Sequence, residues 1–153
     1  MKNLIVASLV GALLSACYAG TSEPVGVVFD RNAPGPTMRA GENCLACHAE
    51  DRSGSSVKWG FGGTVYPSRT AGADEGVGGA TIVVEDATGK VVRVTANSVG
   101  NFWSPEKVQA PLSIQIEQGG RVRKMPIPGP AGTCNSCHSK VPVGGAQGVI
   151  VPP

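Results

Sequence analysis

Between about Val57 and Met125, short apolar runs alternate partly with polar residues and are separated by turn residues. β-Branched and aromatic side chains are enriched in these runs, as in strands that pack one face on a core. No stretch repeats apolar residues at helical spacing for long enough to form a helix of ordinary length. The pattern predicts a mainly β fold, a small antiparallel β-sandwich of six or seven short strands. Six runs carry the signal: FGGTVYP, ATIVVEDA, KVVRVTANS, NFWSPEKV, LSIQIEQ and RVRKMPI.

Glycine-containing turns separate several of these runs. Thr88-Gly89-Lys90 and Gln118-Gly119-Gly120 predict hairpin turns, and the sequence from Ser98 to Asn101 predicts a third. An even number of meander strands brings the two segments that flank the sandwich to the same end, whereas an odd number separates them. With six strands, we expect the two flanking segments to meet.

The glycines and apolar residues of this region resemble those of the carboxypeptidase regulatory-like domain, a transthyretin-like β-sandwich. The resemblance covers about residues 60 to 118 and implies the same sandwich for this chain. Because such a scaffold stands beside many activities, it implies little about function. The residues that carry it are Gly63-Thr64-Val65-Tyr66, Gly79 to Val84, Asp86, Gly89 and Gly100-Asn101-Phe102-Trp103.

Two Gly- and Pro-rich segments flank the sandwich segment 57–125, namely residues 40–56 and residues 126–153. Each contains one Cys-x-x-Cys-His motif. The chain has only two histidines, and both stand directly after these cysteine pairs. Segments this short cannot build a core alone and usually need a metal, a disulfide or a cofactor.

Cys-x-x-Cys-His is the attachment sequence of c-type haem. Two thiols add to the vinyl groups on one edge of the porphyrin, and the adjacent imidazole becomes the proximal iron ligand. The sequence therefore predicts two covalently attached c-type haems with their iron. Cys44, Cys47 and His48 are expected to hold the first, and Cys134, Cys137 and His138 the second.

Two other uses of the cysteines stay open. Four cysteines from the two pairs are able to bind zinc, and an oxidising compartment allows two short-loop disulfides. Either would make the chain a lipid-anchored binding or structural module. Neither explains the two histidines. Thioredoxin-like redox chemistry requires a βαβ context that the sequence does not offer.

Methionine is the residue type that remains to complete each iron, because both histidines are already assigned. Met38 stands six residues before Cys44, and Met125 stands nine before Cys134. A six-residue link spans at most about 20 Å, which is enough to reach the far face of a haem. Each methionine is a candidate sixth ligand of either haem, and packing in apolar gaps is the alternative. His/Met ligation raises the reduction potential.

The first residues, MKNLIVASLVGALLSAC, predict an export signal over residues 1–16, with an apolar run too short to span a bilayer permanently. Leu14-Ser15-Ala16-Cys17 resembles a bacterial lipobox. The resemblance implies cleavage before Cys17, lipid attachment to Cys17 and, because Tyr18 follows, sorting to the outer membrane on its periplasmic or cell-surface face. Residues 17–39 are expected to be a Pro- and Gly-rich tether.

The charge balance limits the partners. A formal net charge of +2 leaves no broad basic surface for nucleic acid. Arg121, Arg123 and Lys124 form the one local basic cluster. In a strand, Arg121 and Arg123 share a face while Val122 points inward. The cluster is expected to be a solvated edge, with pairing to haem propionates or to an acidic redox partner as the functional alternative.

The layout of residues 40–153 resembles exported dihaem cytochromes that carry such a sandwich between their haem sites. With both axial positions filled, iron does not bind substrate, so we expect outer-sphere electron transfer and no enzyme activity. Redox proteins, other cytochromes and further copies of the chain are the expected partners. A peroxidase or a nitrite-type reductase is the alternative. Such an enzyme requires an open iron and an acid or base positioned beside it. The carboxylates of Glu42, Glu50 and Asp51 are the candidates, but the sequence does not place any of them near an iron.

Overall fold

The computed structural model describes residues 33–153, so the predicted export signal and Cys17 lie outside the described residues. The described chain is mainly β, with six strands in two antiparallel sheets and two helices of one turn each. The predicted small β-sandwich is confirmed. In chain order the elements are α1 Leu45–His48, β1 Phe61–Thr64, β2 Thr81–Glu85, β3 Val91–Thr95, β4 Asn101–Ser104, β5 Ser113–Gln118, β6 Arg121–Lys124 and α2 Cys134–Cys137.

The strands divide into a four-stranded sheet of order β3-β2-β5-β6 and a two-stranded sheet that pairs β1 with β4. Each of the six apolar runs contains one strand. The predicted hairpins at Gly89 and at Gly119-Gly120 are confirmed, because they join the antiparallel pairs β2–β3 and β5–β6. All three glycines have positive φ, which glycine adopts without steric cost.

The prediction of a third hairpin was wrong in its pairing. The turn before β4 exists, but it carries the chain from β3 in one sheet to β4 in the other. At Gly100, with φ of 80°, a Cβ atom would collide with the carbonyl oxygen of Val65. Glycine therefore allows the close backbone approach at this point. Because β4 pairs with β1 and not with β3, the strand order is not a meander.

The core lies between the two sheets. Alternate residues of the larger sheet, such as Ile82, Val84 and Ile116, pack against Phe61 and Phe102 of the smaller one. Burial of each such side chain contributes about 1.5–3 kcal/mol to the free energy of unfolding. This core supports β1, the strand next to which both cysteine motifs lie.

The C-terminal segment also packs on the β1 side of the sandwich. Val149 forms a small cluster with Tyr66 and Ala71, and Ile150 forms a parallel bridge with Val65. The chain after α2 is therefore attached to the residues that follow β1.

At the outer edge of the larger sheet, all four residues of β6 are exposed. The expectation that Val122 points inward was wrong, since Val122 is 58 % exposed. The register aligns Arg123 with buried Ile116, so Arg121 and Arg123 lie on the core-side face of the sheet. They stay in water because β6 is the edge strand and the two-stranded sheet covers only part of its larger neighbour.

Candidate functional site

Both Cys-x-x-Cys-His motifs form a single helical turn. The His48 N–H donates to the Cys44 carbonyl at 3.1 Å, and the His138 N–H donates to the Cys134 carbonyl at 2.9 Å. Residues three and four apart share a face of a helix. The turn therefore places the two cysteines and the histidine of each motif on one side.

In each motif, the imidazole of the histidine forms a hydrogen bond with a backbone carbonyl. His48 Nδ1 lies 2.8 Å from the Val57 oxygen, and His138 Nδ1 lies 3.0 Å from the Gly148 oxygen. A carbonyl oxygen only accepts hydrogen bonds, so Nδ1 is the donor, and in the neutral form of the ring the lone pair is on Nε2. A histidine that binds a metal through Nε2 has this tautomer, oriented by this kind of second hydrogen bond.

A glycine lies against the second cysteine of each motif. Gly54 and Gly144 both stand seven residues after that cysteine. A Cβ atom would lie 3.2 Å from Cys47 Sγ at Gly54 and 3.5 Å from Cys137 Sγ at Gly144. The chain then supplies the acceptor carbonyl nine residues after the first histidine and ten after the second. The two sites are local structural repeats, and the shared glycine spacing is the sequence signal that predicts them.

The first cysteines of both motifs contact β1. A Cβ atom at Gly62 would lie 3.3 Å from Cys44 Cβ, and one at Gly63 would lie 2.9 Å from Cys134 Cβ. Gly62 also forms a parallel bridge with Thr133, the residue before Cys134. The two flanking segments therefore meet at one strand, as we expected from the count of six strands, although the strands do not form a meander.

The four cysteines of the described residues differ in redox state. Cys44, Cys134 and Cys137 are free thiols, and Cys47 is disulfide-bonded. Burial raises the pKa of the Cys44 thiol to about 11, with a smaller contribution from the Glu42 carboxylate. Burial likewise raises the pKa of Cys134 to about 12. Both first cysteines are therefore neutral thiols at physiological pH.

An aromatic stack distinguishes the first site from the second. The Trp59 ring lies parallel to the His48 imidazole, with 3.6 Å between ring centroids and 7° between planes. Trp103 continues the stack at 5.2 Å from Trp59. Within residues 33–153, no aromatic ring stacks on His138. Trp59 is thus a residue of the first site that the spacing of the motif does not reveal.

The two methionines proposed as sixth iron ligands, Met38 and Met125, each lie near one end of a β-strand contact, and iron ligation by either remains a prediction. The Met38 carbonyl accepts a hydrogen bond from Asn101 Nδ2 at 2.8 Å, and its side chain is half-buried. The Met125 methyl group packs against Gly129, 3.2 Å from where a Cβ atom would stand, and next to Ile114. Met125 thus lies at the end of β6, on the side of the sheet that carries Arg123.

The charged groups considered in the sequence are all on the surface. Arg121, Arg123 and Lys124 form no ion pair within residues 33–153. The three carboxylates considered as acids or bases are exposed and ion-paired, in the pairs Glu42–Arg39, Glu50–Lys107 and Asp51–Arg52.

Comparison with protein-family models, with curated proteins and with solved structures found no match to this chain. In the described part of the chain, no cluster of three or more His, Cys, Asp or Glu side chains is arranged to share a metal ion. Over the same residues, none of the helices has the length and apolar character needed to cross a membrane.

Proposed function

We propose that the protein is a membrane-anchored dihaem c-type cytochrome that carries electrons by outer-sphere transfer at the bacterial cell envelope. One observation carries the proposal: in both motifs the histidine donates its Nδ1 proton to a backbone carbonyl, which is the orientation that leaves Nε2 as the possible ligand atom. Zinc bound by four cysteines, or two disulfides, would require neither histidine to be held in this way. An iron that takes an imidazole ligand accounts for both.

The residues next to the motifs fit a haem. Val57, whose carbonyl holds His48, is exposed, and so are Val141 and Val143 between His138 and Gly144. A large flat macrocycle gives these apolar side chains a surface on which to pack. The residues proposed to hold the two groups are Cys44, Cys47 and His48 for one, and Cys134, Cys137 and His138 for the other.

The disulfide of Cys47 and a thioether at Cys47 are alternative bonds of one sulfur atom. In an oxidising compartment the disulfide has to be reduced before the thiol can add to a vinyl group. The proposal therefore requires that Cys47 carry haem, and no disulfide, in the matured protein.

A bound haem supplies a one-electron iron couple, and the chain's own residues orient it and exclude water from it. Met38 and Met125 are the proposed sixth ligands, each by its thioether sulfur. Arg121 and Arg123 are proposed to pair with haem propionates or with an acidic redox partner. Lipid chains on Cys17 would hold the protein at the outer membrane, within reach of other cytochromes or of further copies of itself.

The test is the intact mass and visible spectrum of the protein matured in a host with a cytochrome c maturation system. The expected result is a gain of two haem masses and a low-spin spectrum with the sulfur-to-iron band of the ferric form. Replacing Cys44 and Cys47 by serine should remove one haem mass, and replacing Cys134 and Cys137 should remove the other.

Bare thiols or cystines in the matured protein would refute the proposal. A colourless zinc-containing product would favour the binding-module alternative. Rapid carbon monoxide binding at an open iron would favour the enzyme alternative.

A further inference from the structure

Asn135, the first variable residue of the second motif, connects that motif to the first. The side chain is only 4 % exposed, whereas its neighbour Ser136 faces water. Asn135 Oδ1 accepts a hydrogen bond from the Thr64 N–H at 3.0 Å. Its Nδ2 donates to the Glu42 carbonyl at 2.9 Å and to Thr64 Oγ1 at 3.1 Å. Glu42 stands two residues before Cys44, so one amide group joins α2, β1 and the first motif.

Thr64 and Asn101 extend these contacts into a buried network. Thr64 Oγ1 donates to Asn101 Oδ1 at 2.8 Å and accepts from the Gly41 N–H at 2.8 Å. Asn101 Nδ2 donates to the Met38 carbonyl at 2.8 Å. The segment before Cys44 is therefore attached to β1, β4 and α2 through three buried polar side chains.

Such a network is rigid when all of its members are satisfied. Removal of the Asn135 amide would leave the buried Thr64 N–H without its hydrogen-bond acceptor, which is costly, and would remove the hydrogen bond from α2 to the Glu42 carbonyl. Both segments also contact β1: the two first cysteines pack along its glycines, and Gly62 forms a backbone bridge with Thr133. The bridge fixes the second segment on β1, and the polar network links the first segment to the second.

We infer that Asn135 is a positioning residue that holds the two motifs in one mutual arrangement, and that electron exchange between the two sites depends on it. The redox part of this inference rests on the proposed function, whereas the structural part concerns the chain alone. The Asn135 side chain takes no part in thioether formation or iron ligation. Its loss is therefore expected to leave both haems attached.

The variant Asn135→Ala, made in the matured full-length protein, tests the inference. Ser136→Ala is the matched control, because the hydrogen bonds of Ser136 Oγ are with Thr133 and Cys137, both in the second flanking segment. Two measurements are made on both variants: amide hydrogen exchange over residues 38–44, and the magnetic interaction between the two ferric irons by electron paramagnetic resonance.

Asn135→Ala should keep two haem masses but lose amide protection before the first motif, together with the defined magnetic interaction of the wild-type protein. Ser136→Ala should match the wild type in both. An Asn135→Ala protein with unchanged exchange and unchanged magnetic interaction overturns the inference. Absence of a magnetic interaction in the wild type overturns its redox part.

A wild-type protein without haem refutes the proposed function instead, and the hydrogen-exchange comparison then still decides the structural part. If Asn135→Ala does not fold, Thr64→Val is measured in its place. This variant removes the hydroxyl that Asn135 and Gly41 contact and keeps a β-branched side chain in β1. The same two losses are expected, and their absence overturns the inference.

Discussion

The two Cys-x-x-Cys-His sites share a local structure and differ in what surrounds the histidine. His48 is 8 % exposed and has Trp59 stacked on its ring, whereas His138 is half-buried and held by Gly148 of the C-terminal segment. The motif is the same at both sites, and the neighbouring residues give each histidine a different environment. If both motifs carry haem as proposed, the two haems are therefore expected to differ in reduction potential, and the two sites in stability.

The largest expected effect is a loss of stability in Gly63→Ala, measured against Gly62→Ala in the same strand, β1. A Cβ atom at Gly63 would lie 2.7 Å from Phe102 Cζ and 2.9 Å from Cys134 Cβ, whereas one at Gly62 would lie 3.3 Å from Cys44 Cβ. Overpacking of this kind costs about 1–3 kcal/mol. Gly63→Ala should lower the free energy of unfolding by an amount near the top of that range and weaken the second site.

Thermal unfolding and haem content of the two variants measure this difference, with Gly62→Ala as the milder matched control. Equal stability of the two proteins would contradict the described packing of Cys134 on β1.

The stacked indole should lower the reduction potential of the first haem. An aromatic face stabilises positive charge, and a ferric iron makes its imidazole more positive than a ferrous one does. Loss of about 1 kcal/mol of this interaction in Trp59→Leu corresponds to a rise of about 40 mV for a one-electron couple. Potentiometric titration measures the shift. Trp59→Phe keeps a stacked face and should shift less, and an equal shift at the second haem would contradict the assignment of Trp59 to the first site.

A smaller difference in stability is expected between alanine variants of Gly144 and Gly54, the glycines that follow the second cysteine of each motif. Gly144 has a φ of +61°, whereas Gly54 has no such conformation. Gly144→Ala should therefore lower the free energy of unfolding by about 1 kcal/mol through backbone strain. Gly54→Ala requires only that Cys47 move by a few tenths of an ångström. Chemical denaturation of both variants measures the difference, and a less stable Gly54→Ala protein would reverse the expected order.

The smallest expected effect is a change in acid stability caused by Asp86, which lies in the β-sandwich that supports both sites. The Thr88 hydroxyl, together with backbone N–H groups, donates hydrogen bonds to the Asp86 carboxylate and lowers its pKa to about 2. Because the folded-state pKa lies below the unfolded value, this stabilisation is complete above about pH 4 and is lost as the pH falls toward 2. Acid unfolding of Asp86→Asn should lack this component, and an unchanged pH profile would refute the assignment.

Local patterns in the sequence predicted the strands well and their partners poorly. All six runs contain strands, and the turns at Gly89 and Gly119-Gly120 are hairpins. The pairing of β4 with β1 was not predictable, because alternation within a strand does not encode which strand lies beside it. Val122 was misassigned for a related reason, since alternation identifies two faces but does not tell which face of an edge strand is covered.

In the candidate site, too, local features were predictable and contacts between distant residues were not. The spacing of cysteines and histidines predicts two repeated motifs. The acceptors of the histidine hydrogen bonds are backbone carbonyls of Val57 and Gly148, which have no side-chain signature. Asn135 occupies a position of the motif that attachment chemistry leaves open, so its contact with Glu42 became evident only from the folded arrangement.

The position of Cys44 and Cys134 along the glycines of β1 has a consequence for the order of biosynthesis. In the folded chain Cys134 is buried and Cys44 is partly buried, each with its Cβ atom next to a glycine of β1. If both motifs carry haem as proposed, we expect attachment to precede the docking of the two flanking segments on β1, because docking buries the Cys134 thiol. In that order of events the sandwich would fold on its own core first, and the two flanking segments would dock on the glycines of β1 after their haems are attached.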